Sequence, residues 1–205
     1  MIRLILALSL AFFVCVLVAA GGSNNSLSKR EIGEGWQLLF DGKTLSGWDA
    51  RETFTPGATG DWTVRNGAIV CPGTTAGWLA TTAEFSNFHL KLEFRGNAQV
   101  NSGVFLRSKK EGQPHITGYE LQIWDFQPAG YNTGSLVGTI KAPPVKIRPN
   151  HWNQYDITAD GDHYLVILNG AKILDTRQSD HQSGVIGLQC QATYKIEYRN
   201  LRIHR

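Results

Sequence analysis

The chain has 205 residues, a formal charge of +3 from 20 Lys and Arg against 17 Asp and Glu, and three cysteines. Basic residues are scattered among acidic ones, so no stripe marks a nucleic-acid or anionic-membrane surface, and no nucleic-acid partner is expected. No C-x-x-C pair occurs, which excludes a zinc knuckle, and so few cysteines cannot build a disulfide-rich scaffold.

Met1-Ile2-Arg3 leads into an apolar run from Leu4 to Ala20. One positive charge, a short apolar core, and small residues at Val18 and Ala20 predict a secretory signal over 1–20, cleaved after Ala20. A run of this length also leaves an uncleaved anchor open. Cys15 lacks the small-residue context of a lipoprotein site. Export to the periplasm or exterior is expected, with no membrane contact beyond the signal. A polar linker over 21–34 then precedes a single domain over 35–205, long enough for a sizeable core.

Within that domain strands recur, and no convincing helical period appears. Trp36 to Phe40 opens the fold, and Asp41-Gly42-Lys43 turns it. Asn66-Gly67 and Asn169-Gly170 each join two apolar-alternating runs, the strongest short hairpin signal. Further strands are expected over 77–81, 89–95, 102–107, 118–124, 152–159 and 184–191. In the last strand Ile196 and Tyr198 hold one parity and Leu201 and Ile203 the other, so a bulge near Arg199-Asn200 is required if all four face the core. About a dozen short strands predict an all-β antiparallel sandwich, with a jelly roll the leading architecture. Long loops over 50–60, 109–117, 127–135 and 141–150 are candidates for function.

Chemistry concentrates in Gly118-Tyr119-Glu120-Leu121-Gln122-Ile123-Trp124-Asp125. Alternation along a strand puts Leu121 and Ile123 on one face, and Glu120, Gln122 and Trp124 on the other. An acid, an amide and an indole in one row suit the wall of a sugar-binding cleft. The same parity argument turns Glu93 away from Leu90, Leu92 and Phe94. It sets Asn101, Gly103, Phe105 and Arg107 opposite Val104 and Leu106, and Gln189 opposite Leu188 and Cys190. Were these strands neighbours, Glu93, Asn101, Arg107, Glu120, Gln122, Trp124 and Gln189 would line one concave sheet. Taken singly, Glu93, Arg107 and Glu120 would be read as cross-strand ion pairs on a solvated face. Gly103, lacking a side chain beside Phe105, would leave room for a ligand to approach the backbone. His115 lies in a loop from which it could reach the cleft mouth as a base. No histidine or carboxylate pattern has metal spacing, so a divalent metal can be neither placed nor excluded. Cys71 and Cys190 are open to two readings, a disulfide or two small buried residues.

Several motifs carry a resemblance. Leu38-Leu39-Phe40-Asp41-Gly42-Lys43, Leu92-Glu93-Phe94-Arg95, Asn101 to Arg107, Gly118 to Ile123, Gly187-Leu188-Gln189 and Arg199 to Ile203 resemble, in order, the 3-keto-disaccharide hydrolase domain family. The resemblance implies a concanavalin-like jelly roll, bacterial export, and cleavage of glycosides oxidised at the sugar 3-position. It is broken after Gly-Leu-Gln, where Cys190-Gln191-Ala192 stands in place of a histidine-bearing segment. A C3 ketone acidifies C2–H, so proton abstraction, expulsion of the C1 oxygen and hydration would complete cleavage. On this reading Glu120 or Glu93 is the base and the other the acid, and Arg107 and Asn101 stabilise the enolate. Gln122, Trp124, Gln189, Phe105, Asp125 and His115 bind substrate, an oxidised glycoside. Two rivals stand beside it: a secreted carbohydrate-binding module, and a laminarinase-type glycosidase suggested by Glu120-x-Gln122-x-x-Asp125.

Overall fold

The structure, a computed structural model, describes residues 24–53 and 55–205. The predicted signal segment lies outside the described residues. The chain opens with α1 (Lys29–Gly33), β1 (Gln37–Leu38), β2 (Trp48–Arg51), β3 (Thr63–Arg65), β4 (Ala68–Cys71) and β5 (Gly77–Thr81). Next come β6 (Phe88–Gly96), β7 (Ser102–Ser108), α2 (Pro114–Thr117) and β8 (Tyr119–Ile123). The last elements are β9 (Asn153–Asp160), β10 (His163–Leu168), β11 (Ala171–Arg177), β12 (Val185–Cys190) and β13 (Ile196–His204).

These strands form two antiparallel sheets, as the alternation and turn spacing predict. One runs β11-β10-β9-β6-β13-β4-β3, with β1 added on β13; the other runs β2-β5-β12-β7-β8. Leu90, Leu92 and Ile157 from the larger sheet meet Val104, Leu121 and Leu188 from the smaller in one continuous core. Both hairpin turns have the left-handed pair that a two-residue type I′ turn needs, at Asn66 and Gly67 and at Asn169 and Gly170. Asn tolerates that conformation and Gly adopts it at no steric cost.

Two bulges redirect side chains. In β13 the register against β6 slips between Arg199 and Arg202, with Asn200 at φ 55°. Ile196, Tyr198, Leu201 and Ile203 all stay in the core as a result. In β7 the partner of Val185 is Ser108 and that of Gly187 is Phe105, so β7 carries one extra residue. Arg107, at φ 55°, absorbs it and turns inward.

The stretch expected as a polar linker is docked on the sandwich from Asn24 onward. Asn25 N donates to Asn200 Oδ1 at 2.6 Å, Asn25 Nδ2 donates to Gly67 O at 2.8 Å, and Glu31 pairs with Arg202 at 2.8 Å. Ser28 and Glu31 form a reciprocal capping box that starts α1. Cys71 of β4 and Cys190 of β12 are joined as a disulfide, which links the two sheets and settles the alternative left open above.

Candidate active site

The outer face of the smaller sheet carries the site. Register sets Gly187 opposite both Ala80 and Phe105, Phe105 opposite Glu120, Gln189 opposite Trp78, and Gly103 opposite Gln122. Because Leu79, Leu188, Val104 and Leu121 point into the core, the alternate residues Trp78, Gln189, Phe105, Glu120 and Gln122 share the opposite face. Part of that face is roofed. Trp78 Nε1 donates to Glu52 O at 3.0 Å, Arg51 Nη1 to Lys110 O at 3.1 Å, and Gln113 Nε2 to Thr53 O at 2.8 Å. The first ties the loop after β2 to Trp78 of β5, and the other two join β2 and that loop to the loop after β7. Beneath them Trp78, Ala80, Phe105 and Val185 form a small second core. The Trp78 and Phe105 rings meet edge to face at 5.6 Å.

Glu120 lies beside this roofed patch, with only 6% of its surface exposed. Burial pushes its carboxyl up to about 7, and a hydrogen bond from the Gln189 side chain opposes the rise. Gln189 Oε1 is buried with no hydrogen-bond partner among the described residues. An acid near neutrality next to an open acceptor can hold or release a proton at physiological pH. Gly103 makes room for it: a Cβ there would fall 2.9 Å from Glu120 Oε1 and 3.0 Å from its Cγ. The space predicted for a ligand at Gly103 is therefore filled by the acid itself. Gly187 serves the rings in the same way, since a Cβ would lie 2.7 Å from the Trp78 indole.

Two of the three predicted catalytic residues do not join the site. Glu93 is on β6 in the other sheet, where Arg199 Nε donates to its Oε2 at 2.7 Å. It belongs to a cross-strand ladder with Arg95–Glu197 and Lys91–Asp156, the ion-pair reading of that strand. Trp152 lies among these charges, with the Arg199 and Arg95 guanidiniums 4.0 and 4.5 Å from its ring centroid. Arg107 is buried between the sheets. Its Nε donates to Ser86 O at 2.7 Å, and its Nη1 to Gly161 O at 2.7 Å and His181 O at 3.2 Å. The bulge in β7 took it off the face that strict alternation assigned to it. One concave sheet holding all seven predicted polar residues does not form.

Gln122 is on the site face, but its Oε1 accepts from its neighbour Ile123 N at 3.0 Å. Phe105 is on the site face too, buried as packing against Trp78. Asn101 and Trp124, both half-buried, flank β7 and β8 at the strand ends. Asp125 accepts from Thr133 Oγ1 at 2.5 Å and Ile147 N at 3.2 Å, so it clamps two loops instead of facing Glu120. His115 is half-buried on α2, which packs on β7 and β8, and burial lowers its imidazole from the usual value. Trp78 was not singled out from sequence; its parity with Gln189 emerges only once β5 and β12 are paired. Among the described residues no group of three or more His, Cys, Asp or Glu is arranged to hold a metal ion. None of the described helices is long and apolar enough to cross a membrane.

Two packed antiparallel sheets, one bearing a buried acid, an amide and an indole on its outer face, define a jelly-roll β-sandwich with an acid-bearing face. The chain belongs to the 3-keto-alpha-glucoside-1,2-lyase-like domain family, which it matches over residues 35–204. A curated relative, the 3-keto-disaccharide hydrolase of Bacteroides thetaiotaomicron, is 26% identical over 60% of this chain and 52% of its own length. The chain thus spans about half of that relative. A crystal structure described as a candidate glycosyl hydrolase from Parabacteroides distasonis superposes with a TM-score of 0.75 at 23% identity, covering 88% of this chain and 98% of that one. The carbohydrate-binding module CBM66 of Bacillus subtilis does so with 0.60 at 15% identity, covering 76% and 94%. These two likenesses establish the fold, a concanavalin-like sandwich.

Proposed function

We propose that the chain cleaves 3-keto-glycosides by elimination, with Glu120 as the base. The observation that carries this reading is one buried carboxyl held near neutrality by burial, with no other carboxylate placed next to it by strand register among the described residues. Paired-carboxylate glycosidases hold their two acids about 5 to 9.5 Å apart. The other described carboxylate whose strand register places it on this face is Asp49, on β2, opposite Ala80. Four strand spacings of about 4.8 Å separate β2 from β8, so Asp49 and Glu120 stand roughly 19 Å apart. That distance, with Asp125 engaged in its loop clamp, argues against the laminarinase-type alternative.

A lone base suffices when the substrate supplies its own acidity. A ketone at C3 makes the C2 hydrogen removable; Glu120 takes it, the electron pair moves into an enolate, the C1–O bond breaks as the enolate collapses, and the leaving oxygen takes the proton from the Glu120 carboxyl, which is left ionised again. Water then adds across the new double bond. Gln189, through its buried amide, orients the carboxylate and offers its carbonyl to a substrate hydroxyl. Asn101 and Trp124 at the strand ends are proposed to contact the sugar ring. A substrate of this kind belongs outside the cytoplasm on two supports: the N-terminal signal pattern, and a disulfide that persists in oxidising compartments.

The test is incubation of the chain from Gly21 with a 3-keto-glucoside and with its unoxidised parent, with and without a chelator. Release of aglycone from the oxidised sugar alone, abolished in Glu120→Gln, is the expected result. Cys190-Gln191-Ala192, which departs from the family pattern, keeps a second reading in play, a binding module without turnover. Sugar binding by calorimetry with no product from either substrate would select it.

A further inference from the structure

Gln189 is held from beneath at two points. Ser102 Oγ donates to the Gln189 carbonyl at 2.7 Å and lies 2.6 Å from Tyr198 Oη. A hydroxyl has one hydrogen, and that of Ser102 is committed to Gln189. Tyr198 must then donate to Ser102, and the chain of bonds runs Tyr198 to Ser102 to Gln189. Tyr198 Oη also reaches Gly103 O at 3.4 Å, the main chain on which Glu120 lies. The residue after Gln189 is Cys190, bonded to Cys71. Tyr198 and Cys71 are neighbours on the opposite sheet, since Tyr198 faces Ile69 and Ile196 faces Cys71 in the β13–β4 register.

A fully buried hydroxyl in the middle of an apolar core needs a reason, because burying one costs about 1–3 kcal/mol unless it is bonded. Phenylalanine would fill the same volume without that requirement. We infer that Tyr198 is a positioning residue for the Glu120–Gln189 pair, acting from the opposite sheet through Ser102 and beside the Cys71–Cys190 bond. The inference rests on the acid–base role of Glu120 given above. Burial and, after it, the Glu120 charge raise the cost of ionising Tyr198, so the phenol stays neutral and acts on Glu120 through hydrogen bonds alone. Glu120 meets Phe105 and Gly103 from β7 and the Gln189 side chain from β12, none of which titrates. In sequence, Tyr119 precedes Glu120 but its side chain is on the core face of β8, where burial raises its phenol, and His115 sits on α2 just before the strand.

The experiment is Tyr198→Phe, with Ser102→Ala as the second variant. Each frees the Gln189 main chain and weakens its amide bond to the carboxylate, so the Glu120 midpoint should move upward, by half a pH unit or more. Two readouts follow it: carbon NMR of the Glu120 carboxyl without substrate, and the pH profile of kcat/KM on a 3-keto-glucoside. That profile should shift to higher pH, with kcat reduced about tenfold at pH 7. The double variant should add little to either single one, because both cut the same chain. A merely structural Tyr198 would lower stability and leave the carboxyl midpoint in place, which overturns the inference. Should Tyr198→Phe not fold, Ser102→Ala decides alone. If wild type turns over no 3-keto-glucoside, the functional reading fails while the NMR midpoint still judges the relay.

Discussion

Glu120 concentrates opposing demands in one side chain. Its carboxyl has an ordinary value of 4.5 and is held at about 7 by burial. Between those values the folded protein keeps a proton that the unfolded chain has released, so this group contributes most below pH 4.5 and loses that contribution as pH rises through 7. A difference of that size corresponds to about 3 kcal/mol at pH 8. Glu120→Gln should therefore be more stable than wild type at pH 8, by up to that amount, and equal to it near pH 4; urea titrations at the two pH values check this. The same variant should lose a factor of about 10² to 10⁴ in kcat. Wild-type kcat/KM should rise with pH and level off above 7, because the base must be ionised. Gly103→Ala tests the packing around the acid. The added methyl would meet Oε1 at 2.9 Å and main chain leaves the strand little freedom, so Glu120 must move. Turnover should fall at least tenfold with far-UV CD unchanged. Glu93→Gln, by contrast, removes only a half-exposed pair with Arg199 and should leave kcat as it is.

At the scale of elements, parity was legible and adjacency was not. Alternation correctly assigned Glu120, Phe105 and Gln189 to the face away from the core, and the phase change in β13 foretold its bulge. Nothing in a run such as His89 to Arg95 says which of two sheets will take it, because a polar outer face looks alike on both. Glu93 was misplaced for that reason. Arg107 was misplaced for another: the extra residue falls at Leu106-Arg107-Ser108, where no glycine or proline announces it. That bulge puts a guanidinium where it ties Ser86, Gly161 and His181 carbonyls together between the sheets. Removing it strands those acceptors. Arg107→Ala should cost at least about 3 kcal/mol in urea denaturation, and any loss of activity should track the loss of folded protein. Retention of full stability would show that water replaces the side chain at no cost. The ordered N-terminal segment was hidden in a similar way. Asn24 to Ser28 read as a linker by composition, yet the bulge at Asn200 presents the groups that Asn25 binds.

Across the whole molecule, the two sheets are coupled at the end of β12 that carries the site. Tyr198 with Ser102 and the Cys71–Cys190 bond both cross there, flanking Gln189. The sulfur atoms are shielded, with Cys71 fully buried and Cys190 nearly so. Gly60 packs against Cys190, where an added Cβ would fall 3.0 Å from the Cys190 Cβ. The loop roofing Trp78 is thus seated on the same covalent link as the amide that orients Glu120. A cross-link spanning 119 residues removes much of the unfolded chain's freedom. The loop-entropy relation puts this at about 4 to 5 kcal/mol, and native disulfides of single domains typically contribute about 2 to 5. Replacing both cysteines by alanine should lower stability within that range, seen as a lower urea midpoint at an altered m-value, since the open chain exposes more surface when unfolded. The same variant, assayed at a temperature where it is folded, should show the Glu120 limb of its pH profile displaced upward, because the strand end under Gln189 has lost one of its two anchors. Lower stability with an unmoved profile would mean that the bond only staples the sandwich, and that Tyr198 and Ser102 alone hold the site.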